Sequence, residues 1–156
     1  MVNAYYAGKK SAFTPEEGDK AILDLVAFEK DLLGKYEDTT AQETASFIRA
    51  YFHRNVVTKQ SNDPADIKAA IANGFPVIVP ANGKTLANPN FRNGGPVYHM
   101  LVIKGWTKDG HWITNDPGTR LGANFLYTEE NLQESMHDWN GGDVAHGKPQ
   151  ILVMMP

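Results

Sequence analysis

The run VYHMLVIKGW, Val97–Trp106, constrains this chain more than any other stretch. It is the most apolar segment of the sequence and alternates too little for a strand with one wet face, so it reads as a buried strand. His99 stands two residues from its start. An ionisable ring at the head of a buried strand needs a partner, because removing a polar group from water is costly unless something bonds to it.

The following residues offer one. TKDG, Thr107–Gly110, reads as a turn and HWITND, His111–Asp116, as a second strand, which together make a β-hairpin. If the hairpin closes through those four residues, Trp106 faces His111, and counting back puts His99 opposite Gly118. Asp116 then lies two residues away on the same face, whereas Asn115 points to the other by the period of two. Diagonal cross-strand neighbours are roughly 7 to 8 Å apart at Cα, within reach of such side chains. A carboxylate accepting from one imidazole nitrogen fixes the tautomer, leaves the other nitrogen as a base and stabilises the imidazolium once it forms. Pro117 pushes the residue before it into the extended region, which holds Asp116 at the strand's end. His99 and Asp116 are therefore the candidate catalytic residues, two thirds of a nucleophilic triad. The plainer reading is a structural histidine satisfied by its neighbour. His99, His111 and Asp116 are also metal-ligand types, but alternation sends His111 to the face opposite Asp116. Neither a metal nor another cofactor is expected.

Upstream, the text is helical. MVNAYYAG has helical composition and a Gly8 suited to follow a last turn, but begins with no capping residue. Thr14, Pro15, Glu16 and Glu17 open a second helix with Ile22, Leu23, Val26 and Leu33 on one stripe, ended by Gly34. Thr40 and Glu43 form a capping box for a third helix through Ala45, Phe47, Ile48 and Tyr51. Asp63 and Pro64 open a fourth, which Gly74 closes before the short buried strand FPVIVP. The aperiodic stretch Ala81–Gly95, rich in Asn and Gly, is a loop long enough to act as a lid or a substrate rim. A strand around Asn124–Tyr127, a short helix Thr128–His137 and a final strand ILVMM complete an α+β order, N-terminal helices followed by an antiparallel sheet. Trp106, Trp112 and Trp139 are expected in the core, and HDWNGG, His137–Gly142, reads as a helix end with glycine turn chemistry rather than a site.

Bulk properties narrow the function. The 156 residues suit one soluble domain. Fifteen Lys and Arg against eighteen Asp and Glu give −3, with no basic face, which argues against nucleic acid as a partner. No apolar run approaches the roughly 18 to 20 residues of a membrane span, so no membrane insertion is expected. No secretory leader follows Met1, and export is left open because a signal peptide would lie upstream of it. There is no cysteine, which excludes disulfides, thiolate metal sites and thiol catalysis for these residues as they stand.

The order PVIVP, loop, YHMLVIKGW, WITNDPGTR, strand and short helix, then HDWNGG resembles the papain-like cysteine peptidase superfamily, in the branch related to bacteriocin-processing, double-glycine leader peptidases. The resemblance covers the chain well from about residue 63 onward and the N-terminal helices loosely. It implies a papain-like fold, a peptide or protein substrate, His99 as general base and Asp116 as the residue that orients it. Members of that family carry a nucleophilic cysteine at the head of the first helix and an oxyanion-hole glutamine shortly before it, and this sequence has neither. Without a thiolate the chain is not expected to hydrolyse peptides by that route. Two explanations stand: Met1 is an internal methionine and the domain is truncated at its N-terminus, as the uncapped first helix suggests, or the chain is a degenerate relative that binds peptide or another ligand without catalysis. The first is the expectation.

Overall fold

A computed structural model describes residues 1–8 and 13–156. The elements run α1 (Val2–Tyr6), α2 (Pro15–Leu33), α3 (Ala41–Phe52), β1 (Val56–Lys59), α4 (Pro64–Ala72), β2 (Val77–Ala81), β3 (His99–Trp106), β4 (His111–Asn115), β5 (Ala123–Thr128), α5 (Glu129–Ser135) and β6 (Ile151–Met154). The helices begin where their local chemistry dictates. Thr14 and Thr40 each accept a hydrogen bond from the backbone of the glutamate three residues on, and that glutamate reaches back to the threonine N–H. Asp63 caps α4 through the Ala65 N–H, and Gly34 ends α2 at a φ of 72°. Removing the α3 cap with Thr40→Ala is expected to cost about 1 kcal/mol, read as a fall in Tm of roughly 2 to 4 °C.

All strand pairs are antiparallel, in the order β1-β6-β2-β3-β4-β5. Pro80 is tolerated inside β2 because β6 pairs with that strand only at Val77 and Ile78, so at Pro80 no neighbour on that side needs an N–H. Side-chain alternation gives the sheet two apolar faces. Val77, Val79, Leu101, Ile103, Trp112 and Ile151 form one core with Ile67 of α4 and Leu132 of α5. Val102, Leu152 and Met154 form the other with Val2, Ala45, Phe47 and Ile48 of α1 and α3. The arrangement is the predicted α+β one, with three departures.

β1 was not legible in the sequence: VVTK is four residues long, lies at the sheet edge and borders a helix. α2 turns a different face inward from the predicted stripe. Leu25 and Phe28 pack toward the second core, Phe28 edge-on to Tyr51 at 4.9 Å, while Ile22 and Leu23 are 60% and 67% exposed. Of the three tryptophans only Trp112 is fully buried. Trp106 is exposed, and Trp139 is half-buried against Tyr98.

Candidate active site

The hairpin register brings His99 and Asp116 together by a route the sequence did not show. Trp106 pairs with Trp112 rather than His111, one residue beyond the predicted closure. A bulge between Ile103 and Gly105 then shifts the register back, so that Ile103 faces Thr114 and Val102 faces Asn115. Continued past Asn115, that register sets Gly118 opposite His99, as the simple count had it. His99 shares a face with Leu101 and Ile103, and Asp116 with Trp112 and Thr114, both toward the first core.

The His99 Nε2 lies 2.8 Å from Asp116 Oδ1, with the Asp116 side chain fully buried. The carboxylate has further donors: the Gly118 N–H at 2.8 Å on Oδ1, and the Tyr127 hydroxyl at 2.6 Å and Asn88 Nδ2 at 3.3 Å on Oδ2. Asn88 also donates to the Tyr127 oxygen at 2.7 Å. Burial pushes the Asp116 carboxyl up, but the bonds from His99, Tyr127 and Gly118 outweigh it and hold the group below its ordinary value of 3.8. Burial, and then the bond to Asp116, raise Tyr127 far above the usual tyrosine range, which keeps it a neutral donor. An ionised carboxylate can only accept, so Nε2 carries the imidazole proton and Nδ1 the lone pair. Nδ1 has no partner among the described residues. The Phe91 ring stands edge-on to the imidazole at 5.3 Å and closes its apolar side.

Sequence reasoning did not find Asn88, Tyr127 or Phe91. They come from the long loop and from β5 and meet Asp116 or His99 only in three dimensions. The one local signal was the Asn88-Pro89 pair, where Asn88 forms an Asx turn to the Asn90 N–H at 2.9 Å. The loop itself is a fixed rim. Leu86, Asn88 and Phe91 are buried, Lys84 bonds the Asn93 carbonyl at 2.8 Å, and Asn131 bonds the Thr85 carbonyl at 3.0 Å. Its neck is tight: a methyl at Gly95, whose φ is 92°, would lie 2.7 Å from the Gly83 carbonyl oxygen.

The other candidates separate from this centre. His111 sits at the far end of β4, where its carboxylate neighbour is Asp109 at 3.4 Å, and no cluster of three His, Cys, Asp or Glu able to hold a metal occurs among the described residues. In HDWNGG the helix stops at Ser135, and Asp138 accepts from the Ala41 N–H, the Tyr98 hydroxyl and the Trp139 N–H. That carboxylate braces the start of α3. Of the described serines, Ser46 bonds back to Gln42, Ser61 to Asp66, and Ser135 is buried in α5; none contacts His99. No described helix is long and apolar enough to cross a membrane.

The arrangement can hold an imidazole in one tautomer, accept a proton at Nδ1 and stabilise the resulting cation. Comparison with known proteins bears on the chain as a whole. No curated protein matches the chain. A solved Bacillus anthracis protein assigned as a C39-like peptidase has a similar fold, with a TM-score of 0.53 and 15% sequence identity over 76% of this chain. The match takes in 60% of that protein's length. The profile of the Peptidase C39-like family matches residues 23–141, and this chain belongs to that family.

Proposed function

We propose that His99 and Asp116 are the general base and its orienting acid in a cysteine-peptidase-type site acting on peptide or isopeptide amides, and that the nucleophilic thiol is supplied by a residue outside these 156. The observation that carries the reading is the ionised, fully buried Asp116, which fixes Nε2–H and leaves Nδ1 free. Nδ1 would take the thiol proton as the thiolate attacks the amide carbonyl. It would then return that proton to the leaving amine, and water would hydrolyse the thioester. These residues alone have no cysteine and are expected to be inactive. The family match supports a peptidase-like domain; hydrolysis of peptide or isopeptide amides is part of the proposal.

The absence of cysteine favours one alternative, a non-catalytic module that binds peptide in the same cleft. The natural gene product, its mass and N-terminus determined, separates the two when treated with iodoacetamide between pH 5 and 9. The peptidase reading expects a thiol upstream of Met1 that alkylates readily near neutral pH and slows about tenfold or more on His99→Ala, as loss of a thiolate-stabilising base requires. A natural product without a thiol, or one whose thiol ignores His99, rejects the peptidase reading and leaves the binding module.

A further inference from the structure

The sequence has four arginines, and they divide into two pairs. Arg49 donates to the Val56 carbonyl at 2.6 Å, and Arg54 lies 5.5 Å over the Tyr6 ring and reaches Asn3 Oδ1 at 3.4 Å. Arg49 thus ties α3 to β1, and Arg54, between those elements, holds α1. The guanidinium groups of Arg92 and Arg120 have no hydrogen bond, ion pair or aromatic partner among the described residues, and both line one open hollow whose lining holds no acidic residue. Four of the lysines, Lys20, Lys35, Lys59 and Lys68, each have a carboxylate within 3.0 Å. In a chain of net charge −3, two guanidiniums without a carboxylate partner line the same hollow, and a guanidinium fork is suited to bind a carboxylate.

The hollow borders two neighbours of the histidine. Phe91, which flanks the imidazole, and Gly118, where a methyl would come 3.0 Å from His99 Cε1, are both among its walls. Asp116 does not neutralise the arginines, because its side chain is fully buried and its oxygens are taken by four donors. We propose that this hollow is a carboxylate-recognition subsite, in which Arg92 and Arg120 receive a carboxylate of an acidic peptide beside the amide presented to His99. This rests on the peptidase reading for the nature of the ligand, and it adds a substrate class to it. The carboxylate comes from an Asp or Glu side chain or from a peptide C-terminus, since both offer the same two oxygens to a guanidinium fork.

The 156-residue protein suffices for the test, because binding needs no thiol. Backbone amide shifts of Gly95 and Gly118 are followed by NMR during titration with acetyl-Gly-Glu-Gly-Gly-amide, its Gln analogue, and acetyl-tetraglycine as the free acid. Each exposed guanidinium–carboxylate contact contributes modestly, so the Glu peptide is expected to bind about five- to tenfold tighter than the Gln peptide, with each single Arg92→Gln or Arg120→Gln change removing about threefold. The double variant should bind both alike while its spectrum stays dispersed. Tighter binding of the free acid than of the Glu amide assigns the subsite to a C-terminus, and the reverse assigns it to a side chain; either upholds it. The proposal is overturned if no peptide binds, if neither the Glu peptide nor the free acid binds more tightly than the Gln peptide, if the preference survives in the double variant, or if oligothymidylate binds more tightly than both carboxylate peptides. Such a failure leaves the thiol experiment untouched, and a failed thiol experiment leaves an acidic-peptide binder.

Discussion

Asp116→Ala should unfold this domain at a markedly lower temperature. The substitution strips the acceptor from two buried groups that cannot turn to water where they are, the Tyr127 hydroxyl and the Asn88 amide, and from His99 and the exposed Gly118 N–H as well. Unsatisfied buried donors cost about 1 to 3 kcal/mol each, and relaxation recovers part of that, so a loss of about 3 to 5 kcal/mol is expected. At this chain length the fall in Tm is roughly 6 to 20 °C. Asp116→Asn keeps the shape and one acceptor oxygen, and about half the loss should return. The carboxyl also has a pH signature. Its folded pKa is depressed, so its contribution to stability is present above the unfolded value near 3.8 and is lost as pH falls through the lower folded value. Urea midpoints of the wild type should therefore decline below about pH 4, and the Asn variant should lack that component. A change under about 1 kcal/mol for Asp116→Ala, the usual range of a surface substitution, would show that the network is not closed as described.

Gly122→Ala is the second large effect. The Asp116 N–H donates to the Gly122 carbonyl at 2.9 Å, which closes the loop that carries Gly118 and Arg120. A methyl at Gly122 would run into the Asp116 carbonyl oxygen and carbon. Both are backbone, at the point where the carboxylate is aimed, so neither can rotate away. Overpacking of this kind costs about 3 kcal/mol or more, and here it would also move Asp116. Gly118→Ala is the instructive neighbour. Its methyl meets the Phe91 ring at 2.7 Å and His99 at 3.0 Å, both side chains that can tilt. Thermal denaturation should rank Gly122→Ala well below Gly118→Ala, while the His99 ring resonances should shift in both. Equal stability of the two variants would mean that the Asp116 to Gly122 loop is not held by that close approach.

How much of this was legible depended on how far apart the determining residues lie. Helix starts were readable at Thr14, Thr40 and Asp63 because each cap is settled within three residues. The inward face of α2 was not. Ile22, Leu23, Leu25, Val26, Phe28 and Leu33 offer more than one apolar stripe, and only Phe47 and Tyr51, on another helix, choose Leu25 and Phe28. The His99 and Asp116 pairing was placed correctly through two compensating irregularities, a closure one residue longer than assumed and a bulge at Ile103–Gly105, of which Gly105 inside the strand was the one local sign. Asn88 and Tyr127 stand 28 and 11 residues from Asp116. No periodicity relates them to it, so only the fold could bring them in.

The narrow neck at Gly83 and Gly95 makes the segment between them a cassette. It enters and leaves the sheet through nearly the same point, so its exposed positions can change without re-registering β2 against β3. Three buried anchors travel with it, Leu86 in the first core, Asn88 for the carboxylate and Phe91 for the imidazole. Arg92 lies just beyond them on the exposed side. A graft that keeps both glycines and all three anchors is thus free to rewrite what the cleft selects while leaving the histidine where it is.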